Sequence, residues 1–252
     1  MKSYVKILSL LFFLIFWEIL AIVINNEFIL PRIESVALVF SQPFSPILGT
    51  GSLVENMFAS LYRVVLGFLI GGLLAIPLGI FMGRVTWFDQ FMDPLVQIFR
   101  PIPPIAWIPL ALAWFKIGLA SIVFIIFIGA FFPVLLNTID GVRRVNHTWI
   151  EAATMFGANE RQLLYMVIVP AALPTIWTGL RVGFGIAWMS VVAAEMIGTA
   201  SGLGYLIIYA YNFGQIQVII AGMIVIGLIG LSIDYLLKGI ERKRFAWQGL
   251  ER

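Results

Sequence analysis

Three ionisable residues stand where the surrounding sequence is almost wholly apolar. Arg100 heads a proline run, and Arg181 and Glu195 lie within one hydrophobic stretch. A charge at the centre of a bilayer costs at least about 2.5–3.5 kcal/mol on insertion scales. Such residues must pair, reach a membrane boundary or face a watery interior. For Arg100 two readings stand open. It snorkels to the inner boundary, or it forms, with Pro101, Pro103, Pro104 and Pro109, a broken segment beside a pathway. Proline removes backbone donors, and the carbonyls it frees need a neighbouring helix, a cavity or water. Glu195 is equally open: a residue at the outer boundary, or a gate residue or partner for an arginine. Its carboxylate would repel an anion, so it is a poor direct ligand for one. Arg181 reads as snorkelling from one to two turns inside its stretch, and Glu18 and Asp234 read as boundary residues.

Covalent and metal chemistry find little footing. There is no cysteine, which removes disulfides and thiolate metal sites, and the one histidine, His147, reads as an ordinary surface residue. No Gly-x-x-x-x-Gly-Lys-Ser/Thr phosphate loop occurs, so the chain is expected to hydrolyse no ATP.

The elements that must position these residues are membrane spans. Of 252 residues, 61% are hydrophobic and only 12% are Asp, Glu, Lys or Arg, about half the charged fraction of a soluble protein. A bilayer core of roughly 30 Å needs about 20 apolar residues of helix. Six stretches qualify: 7–24, 64–82, 94–115, 117–136, 174–197 and 218–237. The expected fold is therefore all-α, a polytopic membrane protein with six transmembrane helices forming one domain over 1–252. The first stretch reads as a span rather than a cleaved leader, because it is long, contains Trp17-Glu18 and precedes no small-x-small site.

Basic residues in the loops set the orientation. With the N-terminus cytoplasmic, the inner segments hold Lys2, Lys6, Arg84, Arg143, Arg144, Arg161, Lys238, Arg242, Lys243, Arg244 and Arg252, against Arg32 and Lys116 outside. Both termini are therefore expected inside. The same asymmetry explains the pI of about 9.3 without nucleic acid. Outside, Ser35–Phe40 is expected to form a short surface helix. The spacings Gly67-x-x-x-Gly71, Gly79-x-x-x-Gly83 and Gly179-x-x-x-Gly183 put glycine pairs on single helix faces, suited to close packing or to sliding.

The inner connection at about 137–173 is too polar to span and too well patterned to be disordered. His147–Phe156 reads as a short helix that Asn146 or Thr148 caps and Gly157 ends in a left-handed conformation. Glu160–Ile168 starts a second helix, with Pro170 and Pro174 leading into the next span. Ala152 and Ala153 leave a low surface. Either the pair is a knuckle presented to another protein, or it is an amphipathic hairpin on lipid, which Trp149, Ile150, Leu163, Leu164 and Tyr165 would suit.

Glu151-Ala152-Ala153, three residues, Gly157, nine residues, Val167, one residue, then Val169-Pro170 resembles the EAA signature of membrane subunits of binding-protein-dependent ABC importers. Val167 stands for Ile and Val169 for Leu; the other named positions match. Arg100-Pro101-Ile102-Pro103-Pro104-Ile105-Ala106-Trp107-Ile108-Pro109-Leu110 looks like the third span of the nitrate, taurine, alkanesulfonate and bicarbonate branch. So do Glu195-Met196-Ile197-Gly198 with Gly202-Leu203-Gly204-Tyr205, and Glu241-Arg242-Lys243-Arg244 with Trp247.

The resemblance implies a type I importer fold and a permease subunit that is not itself an enzyme. It implies a homodimer in a bacterial or archaeal cytoplasmic membrane, two cytoplasmic ATPase subunits that bind ATP and Mg, and an extracytoplasmic solute-binding protein. Glu151, Ala152, Ala153, Gly157 and Pro170 are then the ATPase-coupling residues. Arg100, Pro101, Pro103, Pro104, Trp107 and Glu195 are pathway or gate candidates. The implied cargo is a small oxyanion or sulfonate. The rival is a proton- or ion-coupled secondary transporter that titrates Glu195. It needs no partner, but it leaves the Glu-Ala-Ala loop unexplained, and no inverted repeat supports it.

Overall fold

The computed structural model describes residues 2–47 and 49–245, nearly all of them helical. Trp247 and Arg252, which entered the reading above, lie outside the described residues. In chain order the helices are α1 (Lys2–Ile24), α2 (Ile33–Ser41), α3 (Leu53–Arg84) and α4 (Thr86–Phe99). A 3-10 turn (Pro104–Trp107) leads into α5 (Ile108–Phe115), followed by α6 (Leu119–Arg143), α7 (His147–Met155) and α8 (Glu160–Gln162). A π turn (Leu163–Ile168) joins α8 to α9 (Val169–Gly198). Then come α10 (Leu203–Asn212) and α11 (Ile216–Arg244).

Among the described residues, five continuous helices are long and apolar enough to cross a bilayer: Ile7–Ile24, Leu53–Arg84, Leu119–Arg143, Glu160–Gly198 and Ile216–Arg244. The sixth expected span, 94–115, is not one rod. It divides into α4 and the Pro104–Phe115 helix, bent by 86°. The reason is local. Pro101, Pro103 and Pro104 donate no amide hydrogen, and after Arg100 N–H reaches the Val96 carbonyl the ladder continues only as isolated turns, Ile102 to Phe99 and Ala106 to Pro103.

The inner connection is also shorter than 137–173. Helix α6 runs on to Arg143, and helix resumes at Glu160. Pro170 and Pro174 do not separate a loop helix from a span; both lie within α9. The widened turn ahead of Pro170, where Val169 N–H reaches back to the Leu164 carbonyl, makes room for a proline ring that would clash with an ordinary α turn.

The chain divides into two compact units, Met1–Leu61 with Glu195–Ile229, and Tyr62–Ala194 with Gly230–Arg252. In the first, α1 turns back onto α2. Trp17 Nε1–H donates to the Pro31 carbonyl (3.0 Å), and Glu18 accepts from Ile33 N–H (3.0 Å). Glu18 is thus more than a boundary residue, since it satisfies an open amide at the start of α2.

The second unit is built around α6. Glycines of α3 meet it in step: a Cβ at Gly67 would lie 2.6 Å from Ile126, at Gly71 3.0 Å from Ala130, at Gly79 2.7 Å from Thr138 and at Gly83 2.8 Å from Val142. The numbers rise together, so the two helices run parallel. On α9 the order reverses, Gly179 against Asn137 and Gly183 against Val134. The glycine pairs on α3 and α9 are therefore packing faces that bring backbone almost to backbone. Ala75, Val134, Leu135 and Ile139 fill the core beside them.

Candidate functional site

The knuckle forms as its residue types dictate. Asn146 Oδ1 accepts from Thr148 N–H (2.9 Å) at the start of α7. At its end, Gly157 takes φ +82°. Its N–H donates to Thr154 O (2.9 Å), and Ala158 N–H donates to Ala153 O (3.1 Å), the double bond pattern of a left-handed glycine stop. Two residues on, Asn159 and Gln162 cap α8 reciprocally at 2.9 Å each way. One helix ends and the next begins with their backbone groups satisfied locally. Ile150 and Leu164 pack on the Val142, Ile168, Ala172 and Ile176 cluster. Arg84 pairs with Glu160 (2.8 Å), and Arg143 pairs with Asp89.

Sequence reasoning named Glu151, Ala152, Ala153 and Gly157 here, and the structure brings them together at the tip. Glu151 Oε1 lies 3.0 Å from His147 Nδ1 and accepts from it when that ring nitrogen carries the proton. Pro170 stands apart, on the helix that follows. Met155 and Phe156 were missed; they are 88% and 92% exposed beside Gly157. Two large apolar residues directly before a helix-ending glycine were the available signal. Of the five residues that suited a lipid-lying hairpin, Leu163 is buried and Ile150 and Leu164 are half-buried, so that apolar set does not form one outward face.

Glu195 lies elsewhere and is wholly buried, at 0% exposure. Its Oε2 accepts from Ser60 Oγ–H (2.7 Å) and Gly204 N–H (3.1 Å), while Ser60 Oγ accepts from Leu203 N–H (2.9 Å). Asn56 Oδ1 accepts from Gly202 N–H (2.7 Å), and Asn56 Nδ2 donates to Ser52 O (2.9 Å). The carboxylate therefore sits at the positive end of α10, where an anion is favoured. Gly202 has φ +103°, and the space its Cβ would take holds the Glu195 carboxylate. Gly202 of the Gly202-Leu203-Gly204 run is thus explained by Glu195.

Arg181 is held by carboxylates. Its Nε donates to Asp234 (3.0 Å) and its Nη1 to Glu241 (3.0 Å), and Lys238 also reaches Asp234 (2.6 Å). Arg100 is different: exposed, at the end of α4, and lining a cavity of about 290 Å³ with Pro101, Pro103, Pro104, Gly129 and Pro133. Trp107 meets Phe99 at a tilt and Phe124 edge-on, and its buried indole N–H has no acceptor among the described residues.

Residues 75–245 match the family described as the binding-protein-dependent transport system inner membrane component. The chain belongs to this family. A putative ABC transporter permease of Methanocaldococcus jannaschii is 55% identical over 235 residues, 93% of this chain and 88% of that one. The taurine transport system permease of Escherichia coli is 38% identical over 198 residues, 79% and 72% of the two chains. In fold the chain is similar to the inward-facing MetNI methionine ABC transporter, with TM-score 0.65, 21% identity, and 76% of this chain and 95% of that one covered. The permease therefore has the type I importer architecture and is the membrane-embedded, non-enzymatic subunit of an ABC importer. The family works with an ATPase and a solute-binding protein. The secondary-transporter reading falls away with this membership.

Proposed function

We propose that α7 and its Gly157 stop form the surface through which a cytoplasmic ATPase subunit drives this permease. The observation that carries the reading is the tip itself. Met155 and Phe156 stand almost fully exposed on a helix whose two ends are closed by its own residues, so the knuckle is rigid and its apolar tip is uncovered. Two copies of the chain form the importer, with both termini and both knuckles cytoplasmic. Each knuckle seats in one ATPase subunit, which binds ATP and Mg. ATP-driven closure draws the knuckles together and turns the spans outward; hydrolysis returns them. The binding protein delivers cargo from outside. Glu151, Ala152, Ala153 and Gly157 shape the seat, and Pro170 lies just past the widened turn of the helix that carries the seat's motion into the membrane.

Relatives support the cargo class. Besides the taurine permease, matches 34–38% identical are named for aliphatic sulfonates, nitrate and bicarbonate. All are small oxyanions or sulfonates, and we assign that class here. The arginine-headed broken segment, Arg100 to Trp107, lies beside the pathway, and Glu195 is assigned a holding role rather than a gating one.

The test is co-purification of the ATPase subunit with Phe156→Asp and Ala153→Lys permeases, alongside cargo-stimulated ATP hydrolysis in the reconstituted complex. Weakened co-purification and lost stimulation are expected. Full retention of both would sink the docking assignment. A binding screen of taurine, nitrate and bicarbonate on the partner binding protein tests the cargo class.

A further inference from the structure

Resting on the reading of the cargo as a small anion, we infer that the cavity at the broken segment holds the anionic head of the cargo in transit, with the Arg100 guanidinium as its donor. The first argument is depth. The cavity wall on α6 includes Gly129 and Pro133. Gly129 is ten residues from Leu119 and fourteen from Arg143, the two ends of α6. At 1.5 Å per residue those are about 15 Å and about 21 Å of helix. On α9 the wall is Ile186, likewise mid-helix. The lining on α6 runs from Ile128 to Leu136, so the cavity reaches from the middle of that apolar helix toward its Arg143 end, and Arg100 opens onto it.

The second argument is pairing. Arg100 makes no side-chain hydrogen bond or ion pair among the described residues, whereas Arg181 is held by two carboxylates. No lining residue of the cavity is acidic. A cation at this depth without a carboxylate is costly in lipid, and the cost falls when it faces water and a passing anion. Guanidinium presents a planar fork that fits two oxygens of a nitrate, carboxylate or sulfonate group. The remaining lining is apolar and rigid, built from Pro101, Pro103, Pro104 and Phe132. It gives the rest of the cargo few polar partners, so the anion is held at one end and released easily.

The chain has no cysteine, so Ile102→Cys, on the cavity wall, places its one thiol there. The experiment uses the full complex with its ATPase subunits, and compares a sulfonate-bearing with a trimethylammonium-bearing methanethiosulfonate reagent. With Arg100 present, the sulfonate reagent should gain about tenfold over the cationic one relative to the Arg100→Gln background, the scale of one charge-assisted hydrogen bond. Arg100→Lys should keep most of that preference, which separates charge from folding. Taurine, nitrate or bicarbonate should slow the labelling only where position 100 is cationic. Two results overturn the site: a thiol unreactive to both reagents with and without ATP, or a preference unchanged by Arg100→Gln. Import by the reconstituted wild-type complex is read in parallel. Anion import with an indifferent Arg100 overturns this site alone. Import of neutral solutes only overturns the cargo class and this site with it.

Discussion

At the scale of single residues, two glycines are required for different reasons, and substitutions separate them. Gly157 has φ +82° and nothing within 4 Å of a built Cβ. A side chain there costs backbone strain of roughly 1 kcal/mol rather than a clash. Asparagine visits that region readily, so Gly157→Asn should leave cargo-stimulated ATPase activity nearly intact. Gly157→Asp adds charge at the tip and should abolish it, while the protein stays in the membrane. Equal activity in the two variants would remove the contact from the coupling path. Gly202 has both problems, a positive φ and the Glu195 carboxylate in the way. Gly202→Ala and Glu195→Ala should each lower the stability of the purified protein by about 1–3 kcal/mol, as expected when buried hydrogen bonds are broken. Thermal unfolding in detergent measures it. Unchanged midpoints in both would contradict the holding role of Glu195. Sequence alone located Glu195 but not its partners, because Ser60 and Asn56 are distant in the chain and carry no pattern of their own.

At the scale of elements, the broken span and the α3–α6–α9 layer make opposite demands. Replacing Pro103 and Pro104 together with alanine restores two backbone donors and should reduce the 86° bend. Assembly is expected to survive and transport to fall. Unchanged transport would make the bend a packing feature with no part in the pathway. Gly79→Leu should instead fail at assembly, since even a Cβ there lies 2.7 Å from Thr138 and 3.0 Å from the Leu135 carbonyl. Such overpacking costs about 1–3 kcal/mol or more, and size-exclusion profiles should show aggregate. The glycine spacing was legible in the sequence as a packing face. Its partner was not, because Ile126, Ala130, Thr138 and Val142 form no comparable motif and small-residue spacing says nothing about who approaches. The proline run was legible as a break, but its angle was not: proline removes donors, and tertiary packing sets where the chain then goes.

At the scale of the whole molecule, hydropathy and the distribution of basic residues are strong signals because the bilayer acts on every residue of a span. They revealed the helical class, the positions of the spans and the expected orientation. They missed the continuity from Glu160 to Gly198, since Pro170 and Pro174 read as helix ends until the π turn accommodates them. Orientation is tested by single cysteines. Asn26 and Asn212 are exposed and should label from outside, and Asn159 should not. Ser52, a natural choice by sequence, is only 3% exposed and a poor reporter. External labelling of Asn159 would reverse the assignment.

The uninterrupted passage from α8 through the π turn into α9 also has a mechanical meaning. A knuckle on a slack tether would dissipate a push before it reached the bilayer. Here the second limb of the knuckle is the near end of a 39-residue rod, about 58 Å long at helical rise. Where Gly179 and Gly183 touch α6, the rod has a natural fulcrum. Under the docking proposed above, load applied at Glu160 would arrive beyond it as rotation, turning a small stroke at one end into a swing at the other. The widened turn at Leu163–Ile168 lies between knuckle and fulcrum, and in that docking it would set how stiffly stroke and swing are geared.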